Sequence, residues 1–370
     1  MVKLKPNWDQ NTLYSEYTWH QLSPFIGRMK STMARSLVEQ FSAPGETVYD
    51  PFCGAGTVPL EAWAAGRQVI AGDISPYAYV LSKAKLNPPQ GLREAEQRLL
   101  IRWKEAERQI HNVDLRNVPS WIRSFFHKET LRATISLRNV LLQRQEYFLL
   151  CCLLGILHHW RPGFLSYPAS HTVPHLKCRK FPREQYPELY EYREVLPRWL
   201  AKVRRAFKRI PTVDRGLKRR VQQVDANNGC LEGKRGSIGA IITSPPYMNS
   251  LSYARDNRLR LWFLGVEDYR DLEPMVSPTK TRFLNMIGTL ILKWGLLLKP
   301  RGICALVLGS VRRDGREHDL PEAVIQLIKT HSSCLRVEGV CKTVIPDIRR
   351  ARGNCRGTRE DTILVLVKRN

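Results

Sequence analysis

Two short segments of this chain combine residue types able to hold a charged ligand and to orient a weakly nucleophilic nitrogen. One is Asp50-Pro51-Phe52-Cys53-Gly54-Ala55-Gly56-Thr57, the other Thr243-Ser244-Pro245-Pro246-Tyr247. Glycine after a strand lets the backbone approach a ligand closely, because no Cβ intervenes. A helix starting behind such a loop aims free N–H groups and the positive end of its dipole at whatever binds. Asp73 ends the next strand, close to the roughly 20-residue distance at which an acid takes the hydroxyls of a ribose. The loop is not GxGxxG, and Gly-Ala-Gly alone is equally a tight turn.

Asp50 narrows the choice of ligand. A carboxylate at the strand end repels a pyrophosphate and favours a ligand carrying positive charge. S-adenosylmethionine, with an ammonium and a sulfonium, fits. The second segment is a row of acceptors. Its two prolines stiffen the backbone and remove two N–H donors. The Ser244 hydroxyl, the Ser244 and Pro245 carbonyls and the Tyr247 ring remain. Such a set suits an exocyclic amino group on a flat heterocycle, although a proline-capped strand end reads the same way in isolation.

The elements that position these residues follow from pattern. Met29, Met33, Leu37 and Phe41 recur at helical spacing, predicting a helix over 24–41. Thr47-Val48-Tyr49 reads as a strand, 57–65 as a helix closed by Gly66, and 67–71 as a second strand ending at Gly72-Asp73. This is the start of a doubly wound α/β sheet. Later, 237–243, 303–308 and 362–367 read as strands. A helix is predicted over 278–298, with Ser277 as N-cap and Pro278 at its first position. Lys299-Pro300-Arg301-Gly302 reads as a turn. Residues 88–220 differ: they are helical in pattern and basic, and 177–220 hold fifteen Lys/Arg against five Asp/Glu, with aromatic residues interleaved. Three stretches result. Residues 1–87 and 221–370 carry the two parts of the sheet domain, and 88–220 form a basic helical insertion.

Composition points to an acidic partner. The chain has 370 residues, 59 Lys+Arg against 34 Asp+Glu, and a formal net charge of +25. Such a surplus is balanced by nucleic acid or an anionic membrane. No apolar run reaches the ~20 residues of a spanning helix, and the N-terminus lacks a signal-peptide core, so no membrane association and a cytosolic location are expected. Nine scattered cysteines without a CxxC pair suit reduced thiols. His171, His175 and Cys178 lack the paired arms of a zinc site, and no metal is expected.

The pair DPFCGAGT at 50–57 and TSPPY at 243–247 resembles the amino-methyltransferases of DNA, which methylate cytosine N4 or adenine N6. The resemblance covers the first and third stretches. It implies a Rossmann-like S-adenosylmethionine-dependent methyltransferase sheet. By this resemblance Asp50, Phe52, Gly54, Gly56 and Thr57 form the cofactor loop, and Asp73 holds the ribose. Asp225 meets the adenine, and the segment from His20 to Lys30 packs around the methionine end. Ser244, Pro245, Pro246 and Tyr247 form the catalytic motif. Serine at its head is more often seen in the cytosine-N4 group, whereas DPPY and NPPY are commoner among adenine-N6 enzymes. The insertion departs from the family, since it precedes Asp225 rather than occupying a clear target-recognition position.

The resemblance implies direct attack of the amino nitrogen on the activated methyl group, helped chiefly by positioning. The target base leaves a double-stranded DNA helix to reach the pocket. No Pro-Cys pair is present, which argues against cytosine-C5 chemistry. Arg255, Arg258, Arg260, Arg349 and Arg350, with the insertion, are expected to meet phosphate. The expected activity is a DNA cytosine-N4 methyltransferase, with a restriction endonuclease as a candidate system partner. Adenine N6, an RNA base, and a nucleic-acid-binding protein with a decayed site stand as alternatives.

Overall fold

The computed structural model describes residues 16–229, 234–246, 252–309, 311–313, 316–331, 334–344 and 360–369. In chain order the first part comprises α1 (Ser31–Phe41), β1 (Thr47–Asp50), α2 (Thr57–Ala64), β2 (Gln68–Asp73) and α3 (Pro76–Leu86). A helical stretch follows: α4 (Leu92–Glu107), α5 (Ser120–Arg123), α6 (Lys128–Gln143), α7 (Tyr147–Leu154) and α8 (Val195–Ala206). Then come β3 (Arg219–Gln223), β4 (Ile238–Thr243), α9 (Tyr253–Asp256), α10 (Arg258–Trp262), α11 (Tyr269–Val276) and α12 (Lys280–Leu297). The chain finishes with β5 (Leu298–Gly309), β6 (Val311–Arg313), β7 (Arg316–His318), α13 (Leu320–His331), β8 (Leu335–Val344) and β9 (Glu360–Lys368).

Seven strands form one sheet in the order β3-β2-β1-β4-β5-β9-β8. Strands β1 to β5 pair in parallel, and β9 lies antiparallel between β5 and β8. Parallel strands covered on both faces are apolar throughout, and β4 is buried at every residue. Alternate side chains go to opposite faces. Val48, Ala240, Ile242, Val307 and Val365 join the core with α1, α2 and α3, whereas Tyr49, Ile241, Leu306 and Leu364 join the core with α12 and α13. From β1 the chain goes to one side for β2 and β3, then crosses to the other side for β4. Ligands in such sheets bind at this switch, outside the C-terminal strand ends. Both motifs follow strands at that point.

The stretch 88–220 lies between α3 and β3 and shares the core of the first layer. Leu99, Ile122, Leu141, Leu153 and Trp199 are buried in the same cluster as Trp19, Leu37 and Leu60. The apolar run 147–157 is therefore core, and among the described residues no helix is long and apolar enough to cross a membrane. Between α7 and α8 the chain is largely irregular. Buried Arg193 pins it by donating to the carbonyls of Arg161, Phe164 and Leu189.

Three boundaries differ from the sequence expectation. Helix α1 starts at Ser31 rather than 24, because Gly27 has φ 75° and cannot continue a right-handed helix. Helix α12 is capped by Thr279, whose hydroxyl accepts from the Arg282 N–H. Ser277 instead ends α11 and donates to Glu273. Residues 299–302 form an irregularity inside β5 rather than a turn before it: Ile238 pairs with Leu298, but Ala240 pairs with Ile303.

Candidate functional site

The loop after β1 is built around two left-handed glycines, Gly54 at φ 46° and Gly56 at φ 70°. A Cβ on Gly56 would lie 2.7 Å from Ser82 Oγ on α3, so no side chain fits there. The loop is tied to β2: the Cys53 N–H donates to the Gly72 carbonyl at 2.9 Å. The Asp73 carboxylate accepts from the Gly54 and Ser75 N–H groups, each at 2.9 Å. From beneath, buried Lys85 donates to the Ala55 carbonyl. Burial pushes Lys85 down to about 7. Burial also pushes the Cys53 thiol well up, so it is no nucleophile.

Asp50 ties the two motifs together. Its Oδ1 accepts the Thr243 hydroxyl at 2.6 Å and the Phe52 N–H at 3.2 Å. It is 4 % exposed, and burial raises it to about 7, with the nearby Asp73 charge adding to the effect. Burial raises Asp73 to about 6 against the lowering effect of its amide partners. A buried and a partly buried carboxylate beside one loop are a place for positive charge.

A cleft of about 1020 Å³ of empty space, open solvent included, lies over these groups. Asp50, Phe52, Gly54, Thr57, Asp73, Asp225, Ser244 and Pro246 line it. Asp225 caps a short turn by accepting from the Asn227 N–H at 2.8 Å. Two buried polar atoms on lining residues, Thr57 Oγ1 and Asn257 Oδ1, have no hydrogen-bond partner among the described residues. A ligand bringing positive charge, hydroxyls and a flat ring fits this set: carboxylates for the charge and hydroxyls, free polar atoms for the rest.

Not every expected residue reaches the cleft. His20 does not line it. Its Nε2 lies 2.7 Å from Glu61 Oε1, and the other Glu61 oxygen accepts from Arg35. Burial, with Lys85 and Arg28 nearby, holds this imidazole well below its usual range, so it is neutral. The neighbouring segment does line the cleft, through Phe25, Gly27, Arg28 and Met29. Gly56 is not a lining residue and acts through the loop's path. Pro245 is buried behind Ser244. Tyr247, Arg349 and Arg350 lie outside the described residues.

The phosphate assignment of Arg260 is corrected. It is 1 % exposed and donates to the carbonyls of Thr172 and His171. Arg258 is half spent in the same way, donating to the Pro174 and Arg255 carbonyls. Both pin α10 to the irregular segment. Arg255 stays half exposed, 3.5 Å from Asp256. Reading the sequence also missed Tyr253, Asn257 and Met286, which line the cleft. They sit at helix ends and faces with no motif around them, and no local signal marks them.

The fold is a Rossmann-like α/β sheet whose topological switch point opens on this cleft. Residues 26–152 match the family described as D12 class N6 adenine-specific DNA methyltransferase. The chain is 31 % identical over 135 residues to the Type II methyltransferase M.MvaI of Kocuria varians, covering 34 % of this chain. The chain thus spans about 30 % of the length of that curated relative. Among solved structures, TrmN from Thermus thermophilus is similar at 12 % identity and a TM-score of 0.38, over 95 % of this chain and 52 % of that one. A putative rRNA-methylase from Clostridium thermocellum aligns at 11 % identity and a TM-score of 0.37, over 91 % of this chain and 95 % of that one.

Proposed function

We propose that this chain is a DNA methyltransferase that moves the methyl group of S-adenosylmethionine onto an exocyclic amino group of a base. The observation that carries this reading is the Asp50–Thr243 hydrogen bond. It holds the end of β4, and with it Ser244 and Pro246, on the cleft shared with Asp73 and Gly54. The matched family and the curated relative support DNA as the substrate.

The bound cofactor supplies an already activated methyl group, so the chain's task is positioning. In this reading Asp50 and Asp73 hold the cationic and ribose ends, and Asp225 lies where the adenine sits. The Ser244 hydroxyl and the Pro245 carbonyl accept the amino hydrogens. That draws the nitrogen lone pair out of conjugation. Tyr247, next in the motif, is the plate for the base. The insertion 88–220, with the half-exposed Arg255, forms the nucleic-acid face. Arg349 and Arg350 belong to it by composition, and a restriction endonuclease is the corresponding system partner.

Two atoms compete as acceptor. The serine of TSPPY supports cytosine N4, and the description of the family matched over 26–152 supports adenine N6. Nucleoside mass spectrometry on DNA from a methylation-free host expressing the chain tests this. N4-methylcytosine supports the first reading and N6-methyladenine the second. Unmodified DNA, from cells whose protein binds the cofactor, overturns both.

A further inference from the structure

A second cavity, of about 1410 Å³ on the same measure, shares Phe25 and Arg28 with the cofactor cleft. Its chemistry is the reverse of the cleft's. Arg161, Lys202 and Arg205 line it. Arg161 and Arg205 are exposed, and neither has a carboxylate within ion-pair distance among the described residues. Lys202 is 8 % exposed, and among the described residues only the Gln21 carbonyl, at 2.7 Å, takes one of its three N–H groups.

Flat rings complete the wall. Phe164 stacks on His159 with centroids 4.7 Å apart, and His171 meets both edge-on. Trp160, next in sequence to His159 and Arg161 but not itself a lining residue, is 40 % exposed and stacks on Phe181 at 5.9 Å. The Arg161 guanidinium lies over the Trp160 ring, 5.7 Å from its centroid. Unpaired cations take phosphate, and rings beside them take a base face.

Resting on the function proposed above, we propose that this cavity holds a nucleotide of the substrate strand beside the target base, its phosphate on Arg161, Lys202 and Arg205 and its base against the His159–Phe164 wall. The shared Phe25 and Arg28 make the two sites neighbours along one bound strand. His20, which lines this cavity rather than the cofactor cleft, belongs to its floor.

The test uses the full chain and a labelled random-sequence DNA duplex, with anisotropy titrations over a series of salt concentrations. The variant Arg161→Gln/Arg205→Gln is compared with Lys329→Gln/Arg336→Gln, an equal charge change at exposed residues of α13 and β8, outside the cavity and outside 88–220. The cavity pair is expected to weaken DNA binding roughly tenfold and to flatten the log K against log [salt] slope by about 1 to 2. The α13/β8 pair is expected to change affinity by less than about threefold. Calorimetric titration with S-adenosylmethionine should be unaltered in both, which also shows that they fold. Equal losses in the two pairs, or no loss in the cavity pair, would overturn the assignment. A wild-type chain that binds cofactor but no DNA at any salt would overturn the function, and the assignment with it.

Discussion

Two adjoining hollows in this protein have opposite character. The cofactor cleft is walled by Asp50, Asp73 and Asp225, whereas the cavity beside it carries Arg161, Lys202 and Arg205. They meet at Phe25 and Arg28. The comparison teaches that a surplus of 25 positive charges says little about where charge is usable. The cleft is locally acidic within a basic protein, and that suits a cationic cofactor. Among the arginines, Arg260 spends its charge on backbone carbonyls inside the core, while Arg161 and Arg205 keep theirs at a cavity wall.

The largest expected effect separates the hollows directly. Asp73→Ala removes the acceptor of the Gly54 and Ser75 amides and a charge facing the ligand. Cofactor affinity should fall by about 100-fold, the loss of roughly two charge-assisted hydrogen bonds. Cofactor-free DNA binding should not change. A calorimetric loss below about threefold would break the acidic side of the comparison.

Next is Arg260→Met. It leaves the Thr172 and His171 carbonyls without their donor and should destabilise the fold by about 2 kcal/mol. Denaturant unfolding measures this. The salt slope of DNA binding should match wild type, and a slope lowered by about 1 would restore Arg260 to the phosphate face.

The pH dependence is smaller. Desolvation raises Asp50 to about 7 and Asp73 to about 6. A cationic ligand binds their ionised forms. Affinity complete above pH 7 should therefore be lost as pH falls through 7 and then 6, by about tenfold per unit while one proton must be displaced. Asp50→Asn should remove the upper step and leave the lower one. A flat profile between pH 8 and 5 would show that neither carboxylate faces the cofactor's charge.

The smallest expected effect concerns only the scaffold. Thr279→Ala should cost about 1 kcal/mol by removing the α12 cap, whereas the Ser277→Ala change should leave α12 intact. Thermal unfolding of the two variants distinguishes them, and neither should alter cofactor or DNA affinity.

Much of the sheet was legible because parallel strands buried on both faces are short unbroken apolar runs, as in 238–243 and 303–308. The first loop was legible because left-handed backbone needs glycine, and Gly54 and Gly56 supply it. Strand β8, LRVEGVCKTV, was not read: it lies at the sheet edge beside β9 and alternates charged with apolar residues irregularly. The start of α1 was misread because Met29 keeps the helical spacing while Gly27 breaks the helix. His20 was placed at the cofactor by its neighbours in sequence, yet packing turned it toward Glu61.

The sequence alone determined the strand–loop–helix–strand–acid unit, the position of Asp73, and the acceptor row after β4. Each depends on backbone preferences and burial within a few residues. Tertiary structure alone decided that Asp50 bonds Thr243 across 193 residues of chain. It also decided that Arg260 is buried and that Arg161 and Arg205, from segments far apart in sequence, line one cavity. Which cation faces solvent depends on how helices from distant stretches pack against each other, and no local spacing encodes that.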